Sequence, residues 1–446
     1  MTTKNNDQDM LAIAQSCIGI AKSSGAKDAA ARAYRVRDVS LDYRDGKVER
    51  ISESTTRGVS IQLYVDGRFS SVSTSDLRPD ALKSFISDSV ALTKSIAADP
   101  FRTLPEPELY KGQPSIDLQL EDPKYAAVTA DDGRRVAQQM HDAARAIKGS
   151  DAILSVTSSF SSNLVENWMV TSNGFSGSNR GTSFFISAGV SAKDADGRRP
   201  EEYDYAGSRF WNAVPNAPAI GASAAQRTLN RLGSKKGQSD EMTVMIDNRA
   251  AGRLIGMLGQ ALTGGSLQQK RSFLEGKLGQ TIVSPLVSIT DDPLIAKAFG
   301  SRKFDGEGIA AKPRVMIENG VLKAYYIDTY YGRKLKMEPT TGSTSNLTWK
   351  LGDKSQAALM SDIKNGLLIT SFIGGNSNSG TGDFSVGVVG FRIRNGAVAE
   401  PVAEMNLSGN HLEFWKKLVA VGNDPFPYSS QRTPTLVFDA VSVAGT

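Results

Sequence analysis

The sequence predicts an α+β protein, with antiparallel meanders and amphipathic helices in its N-terminal part and a β-rich domain with a few helices at its C-terminal end. Three observations predict it. Asx-Gly pairs recur between apolar runs, at Asp45-Gly46, Asp66-Gly67, Asn173-Gly174, Asn319-Gly320 and Asn395-Gly396, and such pairs suit the left-handed backbone of two-residue hairpin turns. Apolar stripes of helical period separate the β-rich blocks. The chain has 446 residues, 40% of them hydrophobic, which is too long for one ordinary core and enough for two or three.

The elements follow in order. Residues 8–30 read as an amphipathic helix, with Met10, Leu11, Ile13, Ala14, Cys17, Ile18 and Ala21 on a stripe that Gly25 ends. Ala33–Leu41 alternates, turns at Asp45-Gly46 and returns through Val48–Ser54. Gly58–Val65 and Arg68–Ser73 make a second hairpin about Asp66-Gly67. Pro79–Ala97 is helical, with proline in its first turn. Prolines 100, 105, 107, 114 and 123 mark a surface-hugging connector from Asp99 to Pro123. Ala130–Lys148 is a second amphipathic helix, Ala152–Val190 is strand-rich, and Pro218–Leu232 is helical again.

Gly233–Ser239 is the best domain boundary. Beyond it, Met242–Ile246 is a short strand and Asn248–Leu262 a helix carrying Gly252, Gly256 and Gly259. Each glycine costs a helix about 1 kcal/mol relative to alanine. Their repetition suggests close backbone packing or inheritance from a site. Arg314–Ile317 pairs with Leu322–Ile327, and Gly387–Arg394 with Val398–Val402. Ile373–Gly382 is a Gly/Asn/Ser-rich loop, either functional or simply flexible. The domains expected are residues 1–98, 124–232 and 239–446.

Composition removes several function classes. The net charge is +5, and the short basic pairs Lys235-Lys236, Lys270-Arg271 and Lys416-Lys417 read as solvated surface, so direct nucleic-acid binding is not expected. The single cysteine, Cys17, excludes an internal disulfide and every multi-cysteine metal motif. Met1–Met10 is polar with no apolar signal core, and no apolar run reaches the roughly 18 residues of a membrane helix; a cytoplasmic protein is expected. There are two histidines, His141 and His411, with no HxxxH or HxH spacing. Each reads on its own as a surface or capping residue, and most hydrolytic zinc sites need two or three histidines and a carboxylate.

Other motifs fail too. Gly374–Gly380 lacks the Lys-Ser/Thr ending of a phosphate loop and the pattern of a dinucleotide fingerprint. No GxSxG elbow is present. Asp305-Gly306-Glu307-Gly308 is an acidic turn that could touch a cation or a peptide amine. The residues taken alone give a protein of two or three domains without a self-sufficient catalytic centre.

Several stretches nevertheless resemble one family in order and spacing. They are Asp45-Gly46-Lys47-Val48-Glu49 with Gly58-Val59-Ser60-Ile61, Lys303-Phe304-Asp305-Gly306-Glu307-Gly308 with Glu318-Asn319-Gly320-Val321-Leu322, Tyr331-Gly332-Arg333-Lys334-Leu335, Asn378-Ser379-Gly380-Thr381-Gly382-Asp383-Phe384-Ser385 and Val421-Gly422-Asn423-Asp424. From about Ala33 to Thr446 the chain resembles the TldD/PmbA metallopeptidases, a family also described as modulators of DNA gyrase.

The resemblance implies a division of labour. Members of the TldD kind carry HExxxH on a helix and a cysteine near the C-terminus, which hold zinc, while the glutamate activates water. The matching helix here is Leu254–Leu262, where Gly256, Met257 and Ala261 stand in the motif positions, and Phe426–Thr435 has no cysteine. This pattern resembles the TldE (PmbA) kind. It implies no metal and no catalytic residue in this chain, zinc in a TldD-type partner, and a hollow heterodimer whose channel admits unfolded peptides. Gly256, Met257 and Ala261 would then face the channel, and Asp305, Glu307, Asn378 and Asp383 are candidate peptide contacts. Two alternatives stay open. One is an active homodimeric peptidase using Asp305, Glu307 and His411; the other is a non-enzymatic peptide holder or gyrase modulator.

Overall fold

The computed structural model describes residues 2–445, with residues 2–8 as backbone alone; Met1, at the start of the polar N-terminal stretch, lies outside the described residues. The first half is one long-stranded sheet with helices on one face. Its elements are α1 (Thr2–Ser23), β1 (Asp28–Arg44), β2 (Lys47–Val65), β3 (Arg68–Thr74), α2 (Pro79–Thr93), α3 (Ala130–Ala146), β4 (Ile153–Thr171), β5 (Ser176–Ala192), β6 (Glu201–Ser208) and α4 (Ala217–Leu229). The strands order β3-β2-β1-β4-β5-β6, all antiparallel.

Period-two alternation decides which face is covered. Ala29, Ala31 and Ala33 of β1 share a face with Val59, Ile61 and Leu63 of β2, and α1 and α2 bury it with Met10, Ala14, Cys17, Leu82 and Ile86. Farther along the same face, Leu41, Phe160, Phe184 and Ile186 pack under α3 and α4. The small residues Ala137, Ala144, Ala224 and Ala225 let those two helices sit close to the sheet and to each other. Cys17 belongs to this core, and burial pushes its thiol up to about 11, which leaves it an inert apolar group.

The second half winds into a barrel-like sheet with small satellites. It comprises β7 (Asp240–Ile246), α5 (Asn248–Gln260), α6 (Gly264–Gln268), β8 (Ile289–Asp291), β9 (Arg314–Glu318), β10 (Val321–Leu322), α7 (Thr329–Leu335), β11 (Leu347–Trp349), α8 (Gln356–Ser361), β12 (Asn365–Ser377), β13 (Asp383–Arg394), β14 (Ala397–Asn410), α9 (His411–Phe414), β15 (Leu418–Val421) and β16 (Leu436–Ala444). The main sheet runs β14-β13-β12-β7-β16-β15, and β14 also pairs with β16, so the sheet curls back on itself. Its core holds Val244, Ile246, Leu254, Ile369, Trp415 and Phe438, all fully buried. The α+β class is therefore as the sequence predicts.

Boundaries shift in instructive ways. The first helix spans Thr2–Ser23, and residues 28–30 already belong to β1. Val48–Ser54 and Gly58–Val65 are one strand, not two. Gly58 does not break it; a Cβ there would lie 2.6 Å from the Tyr34 hydroxyl, so the glycine records a close approach inside the sheet. Beyond Asn319-Gly320 only Val321–Leu322 pairs, and the rest of the expected Leu322–Ile327 strand is irregular. Half of the expected 373–382 loop is strand, since β12 runs to Ser377. Four of the five Asx-Gly turns carry positive φ at both residues, as at Asp45 (44°) and Gly46 (85°). Among the described residues no helix is long and apolar enough to cross a membrane.

Candidate functional site

Helix α5 leaves β7 through Asp247, whose side chain accepts from the Arg249 amide and caps the first turn. Ala250, Ala251, Leu254, Ile255 and Leu258 turn one face into the barrel core. The outward face carries Arg249, Gly252, Arg253 and Gly256. Arg249 pairs with Asp204 at 2.8 Å and lies over the rings of Tyr203, Tyr205 and Phe426. Arg253 donates to the carbonyls of Phe372 and Gly374. Both arginines are thus committed to docking α5 against neighbouring elements.

The 429–433 segment lies against this outward face. Thr433 donates its hydroxyl to the Asn248 carbonyl at 3.0 Å. The Gln431 side chain lies across the helix: a Cβ on Gly252 would be 2.7 Å from Gln431 Oε1, and one on Gly256 3.6 Å from Nε2. The helix and the C-terminal segment that the family resemblance picks out do meet in space. At their meeting stand Gly252, Gly256 and Gln431. Met257 packs partly against the C-terminal core. Ala261 is the C-cap of α5 and fully buried, so its side chain does not reach the outward face beside Gly256. The physical reason is that α5 stops at Gln260 and the chain turns inward. Among the described residues nothing packs where a Cβ of Gly259 would be, so the three glycines are not a seam of tight helix packing.

The donors at this place do not fit zinc, which is held by imidazole, thiolate or carboxylate. Among the described residues no three His, Cys, Asp or Glu side chains gather closely enough to hold a metal ion. Accordingly no step of a metal-assisted reaction is assigned to this chain.

The acidic turn is built differently. Asp305 is 5% exposed. One of its oxygens accepts from the Glu307 and Ile309 amides, at 2.9 and 3.0 Å, and the other from the Thr341 hydroxyl at 3.0 Å. It organises its own loop. Glu307 accepts from the amide and hydroxyl of Thr329, the first residue of α7, at 2.9 and 3.1 Å. Burial raises the Glu307 carboxyl to about 7, with the Thr329 amide working against it and the charges of Asp305 and Asp328 adding to it. The loop also joins the two halves of the molecule. Arg32 of β1 donates to the Gly306 carbonyl at 2.9 Å, and Phe304 packs on Phe175 of the first half.

Asn378 and Asp383 sit at the tip of the β12–β13 hairpin, beside an open pocket of about 640 Å³. Arg271, Asn376, Ser377, Ser379, Phe384 and Ser385 complete its lining. Asn378 accepts from the Gly380 amide at 2.9 Å, and Asp383 from the Thr381 hydroxyl at 2.7 Å and the Asn410 amide at 3.0 Å. Those hydrogen bonds, Asn410 first, hold the Asp383 carboxyl below its ordinary range.

The two histidines part ways. His141 is half-buried beside Asp142, with its ring edge-on to Tyr43. His411 is fully buried, not at the surface; its ring is stacked on Phe273 and Phe384 and shares a 2.9 Å hydrogen bond with Ser377. Asp305, Glu307 and His411 do not form one site, because the first two are tied up at the junction of the halves while His411 lies under the hairpin pocket. Sequence reasoning missed Gln431, Arg271 and Ser377. No local signal could have found Gln431, since its importance comes only from the loop on which it crosses α5.

Residues 29–93 match the PmbA/TldA metallopeptidase domain 1, residues 123–232 the central domain, and residues 239–445 the C-terminal domain of the same family. Metalloprotease PmbA of Escherichia coli O157:H7 is 28% identical over 427 residues, covering 95% of this chain and 93% of that one. A crystal structure from Bacteroides thetaiotaomicron, of a protein named as a modulator of DNA gyrase, is 38% identical, with all of both chains covered and a TM-score of 0.95. TldE from Thermococcus kodakarensis shares the fold at 20% identity, with 97% of this chain and all of that one covered and a TM-score of 0.85. Three consecutive domain matches and relatives aligned from end to end lead to one conclusion: the chain belongs to the PmbA/TldD metallopeptidase family, on its PmbA (TldE) side.

Proposed function

We propose that this protein is the metal-free subunit of a two-subunit zinc peptidase that trims unfolded peptides in the cytoplasm, the zinc being carried by a TldD-type partner with HExxxH. One observation carries this reading. The outward face of α5 and the 429–433 segment, the two stretches the family resemblance picks out, meet through Gly252, Gly256 and Gln431, none of them a metal ligand. A meeting of helix and segment without ligands suits a wall beside another subunit's chemistry. Gln431 fills the space over Gly252, but Gly256 and Gly259 leave room for an extended chain, which such channels grip through main-chain polar groups and not through sequence-specific pockets. Asn378 and Asp383, exposed at the hairpin tip, would supply such contacts. Asp305 and Glu307 are occupied with loop and helix capping and would act only by holding the two halves together.

The test is to purify the chain alone and with its HExxxH partner, measure bound zinc, and assay cleavage of an unfolded peptide. Zinc and activity only in the mixture are expected. Zinc-dependent cleavage by the lone chain would overturn the reading in favour of an active homodimer. Gly256→Glu sharpens the test, because a Cβ at Gly256 makes only an ordinary 3.6 Å contact with Gln431, so the variant should fold. Its expected effect is a loss of cleavage by the pair on the order of ten-fold, through misplacement of the substrate. Full activity in an intact heterodimer would remove α5 from the channel.

A further inference from the structure

The hairpin-tip pocket carries an arrangement that the peptidase reading leaves unused. His411 is fully buried, and among the described residues its Nδ1 finds no hydrogen-bond partner. Its Nε2 lies 2.9 Å from Ser377 Oγ. Two tautomers are possible. If Nδ1 held the proton, a buried N–H would be orphaned, whereas with the proton on Nε2 only a lone pair goes unmet, which proteins tolerate better. Burial holds the imidazole down at about 4, so the ring is neutral at pH 7. Nε2 therefore donates to Ser377. The serine oxygen is an acceptor in that bond, and its own hydrogen is left to point elsewhere. This polarity is the reverse of a nucleophile activated by a base. Stacking of the ring on Phe273 and Phe384 fixes the donor in place.

Ser377 lines the pocket together with Arg271. Among the described residues the Arg271 guanidinium makes no ion pair or side-chain hydrogen bond, and it is the one cation in the lining. Its backbone is held against the hairpin: the Phe273 amide donates to the Ser379 carbonyl at 2.8 Å, and Arg271 Cα lies 3.6 Å from where a Cβ of Gly380 would be. Among the described residues the pocket thus offers an unpaired guanidinium and a hydroxyl donor whose oxygen already accepts from His411. It also offers one carboxylate, Asp383, and the amides of Asn376 and Asn378.

We propose that this pocket binds the C-terminal carboxylate of an extended peptide, with Arg271 and the Ser377 hydroxyl as its anion contacts. The proposal rests on the peptide-handling reading above. A peptide end supplies both chemistries that the lining matches: acceptor oxygens at its terminus for Arg271 and Ser377, and main-chain N–H groups just upstream for Asp383 and the side-chain carbonyl of Asn376. His411 is a positioning residue, setting the direction of the Ser377 hydroxyl.

The test uses the full chain and an N-terminally labelled, unstructured peptide of Gly, Ala and Ser. Three forms are compared by fluorescence polarisation: free C-terminus, C-terminal amide, and amide with one internal Glu. The free acid should bind about ten-fold more tightly than the amide, the usual worth of a charge-assisted hydrogen-bond pair. Arg271→Met should erase that preference, and Ser377→Ala should reduce it several-fold. Both positions line an open pocket, and circular dichroism would confirm folding. Equal binding of acid and amide, or a preference that survives Arg271→Met, overturns the proposal and leaves the peptidase reading standing. Tight binding of the internal-Glu amide overturns the assignment to a chain end. Binding of neither peptide, with cleavage by the heterodimer intact, overturns the pocket alone. Binding of neither with no cleavage by the mixture overturns both.

Discussion

Two glycine-rich acidic turns in the C-terminal half look alike as sequence and behave differently as structure. Asp305-Gly306-Glu307-Gly308 folds inward. Its aspartate is buried with three accepted hydrogen bonds, and its glutamate caps α7. Asn378–Asp383 faces outward, with Asp383 exposed at the mouth of a pocket of about 640 Å³. The difference teaches that an acidic turn becomes a binding candidate only when its polar atoms still have capacity and solvent access. A satisfied buried carboxylate is a structural part.

The largest test of this contrast is Asp305→Ala. It strands two loop amides and a hydroxyl, and should cost about 3 kcal/mol. That corresponds to a fall in melting temperature on the order of 10 °C for a domain of this size. Thermal unfolding followed by circular dichroism measures it; a shift of only a degree or two would mean that the turn is not the clasp described here.

The next test uses pH. Glu307 has a folded pKa raised from 4.5 to about 7, so the folded state favours its protonated form. Its contribution to stability is fully present below the unfolded value and is lost as pH rises through about 7. Glu307→Gln keeps an oxygen for Thr329 and cannot ionise. The variant should therefore gain stability over the parent between pH 5 and pH 8. Denaturant midpoints at the two values decide it, and an unchanged difference would show that Glu307 titrates in its ordinary range.

The smallest effect is expected at the outward turn. Asp383→Asn should leave the melting temperature within about 2 °C, as for an exposed position. It should instead weaken peptide binding by the chain. If it destabilised the fold as strongly as Asp305→Ala, the contrast between the turns would collapse.

Much of this was legible from local physics. The helix at Pro79, the hairpin turns and the apolar alternation of β1 and β2 rest on backbone preferences and burial period, which neighbouring residues set. Gly58 misled because its reason, the hydroxyl of Tyr34 on the paired strand, is not local. His411 misled likewise: its neighbours Asn410 and Glu413 are polar, but Phe273, more than a hundred positions away, covers its ring.

By itself, the sequence determined the α+β class, the family, and the absence of hard ligands at Gly256, Met257 and Ala261, because residue chemistry and short-range periodicity are written directly in it. Only the tertiary structure decided the rest. It drew Gln431 across α5, turned Ala261 into the core, buried Asp305 and left Asp383 open. It also brought His411 within 2.9 Å of Ser377. Each of these depends on which distant segment supplies a partner or excludes water, and that is fixed only when the sheets close.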